Sequence, residues 1–176
     1  AFQDGRLDWT DNIPNNQLAS LEASPEFHSD VWLGIYYYRF NVTVEPLDDV
    51  RVRRALALAI NREELCRCTL DDLYEPSYGF VPPIPGYEGQ EMLSYDPQRA
   101  RELLAEAGFP GGEGFPELEI LYNTSENHRT IAQAVQDMWQ VELGIDVTLL
   151  NQEWKVYLDS TENLDYEVGR AGWIGD

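Results

Sequence analysis

Leu118-Glu119-Ile120-Leu121-Tyr122-Asn123, the helix-period run over 127–143, and Ile145-Asp146-Val147-Thr148-Leu149 decide the fold. Leu118, Ile120 and Tyr122 alternate, which is the period of a half-buried strand. Ile131, Val135, Met138 and Leu143 recur at helical spacing, and Gly144 supplies the stop. Ile145, Val147 and Leu149 then alternate against Asp146 and Thr148. Strand, helix and strand in so short a span make a βαβ unit, which predicts parallel strands joined by a right-handed crossover. A further helix at about Trp154–Glu162 leads to a third strand near Tyr166–Ala171. The fold class is α/β, with a mixed, partly parallel sheet flanked by helices.

Working toward the N-terminus, Val31–Val42 is β-branched and aromatic and reads as one long strand that Pro46 closes. Asp48 or Asp49 can cap a helix whose apolar positions are Val52, Ala55, Leu56, Ala59 and Ile60. A second helix restarts at Asn61, with Glu64 three residues on as a capping box. Cys66 and Cys68 lie two apart on that helix, so they face different ways and do not bridge each other readily. The proline- and glycine-rich residues 74–97 form a long loop, of the kind that is functional or packs as an arm over its own domain. A helix follows at Pro97–Ala107. The Gly111-Gly112-Glu113-Gly114 stretch has neither the Lys nor the preceding strand of a phosphate loop and reads as a linker. Residues 1–30 are polar and irregular, with one short helical segment at Asn16–Ala23.

The 176 residues carry 12 Lys+Arg against 32 Asp+Glu, a formal charge of −20. With 5 Trp, 10 Tyr and 6 Phe the chain is too aromatic to be a solvating, disordered one. Negative charge at this density repels phosphate, which excludes a general nucleic-acid or anionic-membrane binder. Eleven of the twelve basic residues are Arg, Lys155 being the exception. Arg suits planar, bidentate recognition, and a salt-adapted composition gives the same count. The longest helical apolar run, Ala55–Ile60, falls far short of the roughly 20 residues a membrane span needs. The opening Ala-Phe-Gln-Asp-Gly-Arg reads as the start of an internal piece of a longer protein.

Parallel sheets place ligands at the carboxyl ends of their strands. That rule selects three loops: Asn123–His128, Asn151–Trp154 and Gly172–Asp176. Their amides, hydroxyls and indoles offer hydrogen bonds and flat walls to an extended polar ligand. Blander readings exist for each residue. Asn123, Ser125 and Asn151 are common helix caps, Trp154 and Trp173 are common core residues, and a His in a first helical turn, such as His128, is commonly a surface side chain. The coincidence of all three loops on one edge favours a site. Nothing assembles a reactive centre. The carboxylates have no distinctive pairing, His28 and His128 are far apart, and no nucleophile elbow or metal-ligand spacing occurs.

At these loops the sequence resembles the oligopeptide-binding proteins of peptide ABC transporters, family 5 extracellular solute-binding proteins. The resemblance is carried by Leu121-Tyr122-Asn123-Thr124-Ser125 with His128, by Asn151-Gln152-Glu153-Trp154-Lys155, and by Arg170-Ala171-Gly172-Trp173 with Asp176. Asp49–Leu56 with Ile60-Asn61-Arg62, Tyr36-Tyr37-Tyr38 and Gly5–Trp9 add to it. It implies a type II periplasmic-binding-protein-like lobe, incomplete at its C-terminal end, from a receptor that closes on an extended peptide. Residues 1–30 would belong to the neighbouring lobe or lobe edge, 31–42 to an interlobe hinge strand, and 43–176 to the ligand-binding lobe. Carried over by position, Asp176 pairs with the peptide's α-ammonium. Arg170 and His128 serve its C-terminal carboxylate, Trp154 and Trp173 wall the pockets, and Asn123 and Gly172 line the cleft. Thr161 stands where some members have a further basic residue, and Ile174 where they have a small one or cysteine. The resemblance further implies a monomeric, periplasmic or extracellular protein, lipid-anchored in some forms, that works with an ABC permease and needs no cofactor or metal. Rival cargoes within the family are dipeptides, murein peptides, oligosaccharides and nickel chelates. Outside it stand an acidic, Trp-lined glycosidase and an interaction or sensor domain that has lost the trap.

Overall fold

The computed structural model describes residues 4–10, 13, 17–28, 33–69, 74–82, 84 and 86–175. They fall into two units, 1–32 and 33–176. In the first, helix α1 is a single turn, Leu18–Leu21, shorter than the predicted segment. A further turn, Phe27 N–H to Ser24 O at 3.0 Å, follows it.

The second unit is built on a four-stranded sheet of order β1-β4-β2-β3. Strand β1 is Gly34–Phe40, β2 Leu118–Asn123, β3 Val147–Gln152 and β4 Val168–Ile174. Strands β2 and β3 are parallel from Leu118↔Val147 to Asn123↔Gln152, joined by helix α5, Glu126–Leu143. Strand β4 lies parallel on the other side of β2, through Ile120↔Val168 and Leu121↔Gly169. Strand β1 runs antiparallel to β4 from Gly34↔Ile174 to Phe40↔Val168. The mixed, partly parallel sheet expected from the sequence is therefore present.

One expectation is corrected at β4. Gly172 and Trp173 are strand residues paired with Tyr36 and Ile35, not part of a loop after the strand. Strand pairing from far along the chain, invisible to local pattern, carries β4 three residues further.

By alternation, one sheet face presents Leu118, Ile120, Tyr122, Val147 and Val168 to the core, with Tyr36, Tyr38 and Phe40 packed at its margin. Helix α5 covers this face with Ile131, Ala132, Val135, Trp139 and Leu143. Trp139, not Met138, is the fully buried side chain there, and its indole N–H donates to Leu56 O at 2.9 Å. Leu56 lies on helix α2, Val50–Leu58, which Asp49 caps by accepting from Arg51 N–H. Helix α3, Arg62–Glu64, starts at Asn61, whose side chain accepts from Glu64 N–H as expected of a cap. A π-helical turn, Leu65–Thr69, follows with Cys66 buried and Cys68 exposed.

The described part of 74–96 is an arm over its own unit. Phe80 meets Tyr37 edge to face at 5.1 Å, and Leu93 joins the core margin. Asp96 N–H donates to Leu58 O at 3.0 Å and then caps helix α4, Pro97–Glu106. The glycine stretch after α4 is not a loose linker. Gly112, at φ +81°, lies so close to the Gly144 carbonyl that a Cβ there would collide with backbone. Helix α6, Trp154–Glu162, covers the opposite sheet face with Tyr157 and Ser160. Among the described residues, no helix is long and apolar enough to cross a membrane.

Candidate ligand-binding site

Register places the site. Arg170 sits opposite Tyr38, and Gly172 opposite Tyr36, so all four side-chain positions share the α5 face of the β1–β4 pair. The Arg170 guanidinium lies over the Tyr36 ring, 5.0 Å from Cζ to centroid, as a cation–π contact. Its Nη1 donates to Asn123 Oδ1 at 3.2 Å, at the carboxyl end of β2. Gly172 leaves the space beside it, since a Cβ there would come to 3.4 Å from Arg170 Nη2. His128, in the first turn of α5, packs its ring 5.5 Å from that of Tyr36. Thus Arg170, His128, Asn123 and Gly172 come together around a residue that sequence reasoning had placed only in a strand motif. The signal for Tyr36 was the alternation of Tyr36 and Tyr38 across from the strand carrying Arg170, which needs the pairing to be known.

Tyr157 is the other residue sequence reasoning missed. Its hydroxyl donates to the Arg170 carbonyl, while its ring stacks on Trp154 at 5.6 Å and 18°. Trp154 is 49% exposed and Trp173 61%, so neither is a core residue. Trp173 alternates to the α6 face and is separate from the Arg170 cluster, beside the exposed Ile174 and Leu33 at the end of the β1–β4 ribbon. Asp176 lies outside the described residues. Asn123 and Asn151 are not the helix caps here. Ser125 begins α5 without a side-chain capping bond, and Glu153 caps α6 by accepting from Lys155 N–H. Asn151 accepts from the Thr124 hydroxyl at 3.1 Å, tying the β2 and β3 ends together.

Six buried side-chain atoms among the described residues have no hydrogen-bond partner: Tyr36 Oη, Tyr38 Oη, Arg39 Nε, His128 Nδ1, Gln152 Oε1 and Arg170 Nε. Four of them belong to this one cluster, where the Tyr36 hydroxyl still interacts with Tyr38 and Arg170 while His128 Nδ1 and Arg170 Nε have nothing. Buried polar atoms are nearly always paired, so such a concentration marks a place where a ligand or water supplies the partners. Burial, then the nearby Arg170 charge, pushes the His128 pKa down to about 4. Burial likewise pushes Tyr36 up to about 12, against the pull of Tyr38 and then Arg170, and raises Tyr38 well above an ordinary phenol. The cluster therefore holds one fixed positive charge, a neutral imidazole and two neutral phenols. That set can donate hydrogen bonds to an anionic or carbonyl oxygen. It contains no activated nucleophile.

A polar cleft of about 440 Å³ lies elsewhere, lined by Asn61, Arg62, Glu63, Tyr78, Glu91, Ser94 and Tyr95. Several of its groups are committed internally. Arg62 donates to the Ala57 and Ile60 carbonyls, and Tyr78 Oη donates to Glu63 at 2.8 Å.

Comparison with known proteins gives these features a context. Residues 1–176 match the model of bacterial extracellular solute-binding proteins, family 5 Middle. The chain is 36% identical over 187 residues to the oligopeptide-binding protein OppA of Bacillus subtilis, covering 99% of this chain and 34% of that protein. It is 38% identical over 181 residues to the periplasmic murein peptide-binding protein MppA of Escherichia coli, covering 98% and 34%. The crystal structure of the oligopeptide-binding protein OppAIV from Borrelia burgdorferi superposes with a TM-score of 0.87 at 39% identity, over 92% of this chain and 33% of that one. The chain thus spans about a third of the length of these relatives, all of them named as binding proteins. With its whole length inside the family model and its fold shared at this identity, the chain belongs to the bacterial extracellular solute-binding proteins of family 5.

Proposed function

We propose that this chain is the peptide-contacting part of an extracellular receptor that captures oligopeptides and delivers them to an ABC permease. The observation that carries the reading is the Arg170–His128–Tyr36 cluster, whose unpartnered polar atoms sit where the strand ends open. A peptide lying across these ends would supply carbonyl and carboxylate oxygens to the cluster. Backbone groups are common to all peptides, so such a site binds tolerantly, with water adapting to the side chains. The exposed indoles of Trp154 and Trp173 serve as pocket walls, and Asp176 pairs with the peptide's α-ammonium.

In the same reading residues 31–42 act as the interlobe hinge, residues 1–30 belong to the neighbouring lobe or its edge, and 43–176 form the ligand lobe. Capture then proceeds by closure of two lobes, the closed state being favoured by its extra contacts with ligand. The receptor is monomeric, catalyses nothing, and acts in the periplasm or outside the cell, held there by a lipid anchor. A murein peptide is the rival cargo with most support, because one relative of 38% identity bears that name. Oligosaccharides and nickel chelates have none from this cluster, which offers a fixed cation and no metal-ligand set.

Calorimetric titration of the full-length protein with tri- to penta-alanine, free and N-acetylated, tests the reading. Free peptides are expected to bind and acetylated ones to lose on the order of 3–5 kcal/mol, as when one partner of a buried ion pair is removed. If murein tripeptide binds and alanine peptides do not, the cargo is the narrower one. If none binds, the peptide reading fails.

A further inference from the structure

His128 and Arg170 present a charge problem that a ligand would solve. Imidazole and guanidinium both lean on the Tyr36 ring, at 5.5 and 5.0 Å, and His128 Nδ1 and Arg170 Nε are buried without partners. The groups that packing brings toward His128 offer it no counter-ion. Strand β1 contributes Tyr36 and Tyr38, β2 Tyr122 and Asn123, β3 Asn151 and Gln152, and β4 Arg170. The π-helical turn packed on α5 brings Cys66, Arg67 and Cys68. On α5 itself Glu126 is exposed in the first turn and Arg129 is exposed beyond it. Helix α4 meets α5 at the far end, where Arg101 is paired with Glu142 at 2.7 Å and Arg99 is paired with Glu102 and Glu106. Burial and Arg170 are the two causes acting on His128, and no carboxylate is among them.

We infer that the cluster takes up a ligand carboxylate together with a proton: a carboxylate seated against Arg170 and His128 lets the imidazole take a proton from solvent, so ligand and proton bind as a pair. The inference rests on the peptide-receptor reading of the same site. In the empty site a second positive charge beside Arg170 would be buried and repelled. A bound carboxylate reverses both effects, by offsetting the guanidinium charge and accepting a hydrogen bond from the imidazolium. The proton comes from solvent, and no covalent bond changes. Binding then tightens as pH falls, by at most tenfold per pH unit for a single coupled proton.

The test is calorimetry on the full-length protein between pH 5 and 7, with tri-, tetra- and penta-alanine and their C-terminal amides, each in two buffers of unlike ionisation enthalpy. Near pH 5 the peptide amine (pKa about 7.7–8.0) stays protonated and its carboxyl (about 3.3–3.7) ionised, so neither contributes there. The expected result is uptake approaching one proton per peptide near pH 5, with affinity several-fold higher than at pH 7. The C-terminal amide and the His128→Gln variant should take up none. Alanine peptides that bind without proton uptake, or uptake that persists in His128→Gln, overturn the inference and leave the receptor reading intact. Failure of every peptide to bind at any pH overturns both.

Discussion

Arg170 is oriented by four neighbours of unlike chemistry. Asn123 accepts from Nη1, the Tyr36 face lies under the guanidinium, Gly172 leaves room for it, and the Tyr157 hydroxyl ties down its carbonyl. Gly172→Ala would place a methyl at 3.4 Å from both Arg170 Nη2 and the Ile35 carbonyl. The guanidinium can yield by a few tenths of an ångström, so the fold should lose less than about 1 kcal/mol while the aimed donors move. Peptide affinity in the full-length protein is expected to fall roughly three- to tenfold by calorimetry, with the urea midpoint nearly unchanged; a group misplaced by so little costs about 1 kcal/mol of binding. His128 gives a pH prediction for the ligand-free fold. Its folded pKa, about 4, lies below the unfolded value of 6.5. Above pH 6.5 both states are neutral there and the residue is silent. As pH falls from 6.5 to 4 the unfolded chain takes the proton first, so stability declines across that window. Urea titrations of the 176-residue chain at pH 7, 5.5 and 4.5 should show a steeper decline for the wild type than for His128→Gln.

At the scale of elements, Asn41 joins β1 to the turn before β4. Its Nδ2 donates to the Leu164 and Tyr166 carbonyls at 3.0 and 2.9 Å, and its Oδ1 accepts from Thr43 N and Oγ1 at 3.1 and 2.7 Å. The side chain is 4% exposed, so its removal strips two carbonyls and an amide of their partner in a partly buried turn. Asn41→Ala is expected to cost about 2–3 kcal/mol in urea unfolding, whereas Asn61→Ala, at an exposed cap, should cost about 1. The sequence made the parallel strands, the α5 and α6 helices and most caps legible because period and capping chemistry are local. It could not show Trp139 as the fully buried side chain next to Met138, which packs partly buried against the core, since only the Leu56 carbonyl across the core selects the indole. Nor could it end β4 correctly, because Gly172 and Trp173 read locally as a turn and become strand only through Tyr36 and Ile35. The site was legible in part for the same reason. Asn123, His128 and Arg170 stood out in loops or by resemblance, while Tyr36 and Tyr157 join the site through pairings from far along the chain. Trp173 was read into the same loop cluster, but alternation turns it to the other face.

At the scale of the molecule, the charge of −20 sets how the lobe responds to salt. The described ion pairs are exposed or partly so: Arg6–Asp4, Arg51–Asp49, Arg99 with Glu102 and Glu106, and Arg101–Glu142. Such pairs contribute about 0–1 kcal/mol each, and salt weakens them. Against them stand 32 acidic residues and only 12 basic ones, so most carboxylates repel like neighbours on a compact surface. Salt screens both effects, with a Debye length falling from about 30 Å at 0.01 M to about 3 Å at 1 M. Repulsion sums over many pairs at distances the longer length spans, whereas the attractive contacts are short and few. Repulsion therefore wins, and sodium chloride should stabilise the 176-residue chain. Its urea midpoint at pH 7 is expected to rise steadily between 0.01 and 0.5 M salt, and the rise should shrink at pH 4.5 as carboxylates protonate. A midpoint that falls with added salt at pH 7 would mean that the five exposed Arg–carboxylate contacts outweigh the net charge, which their exposure and small number argue against.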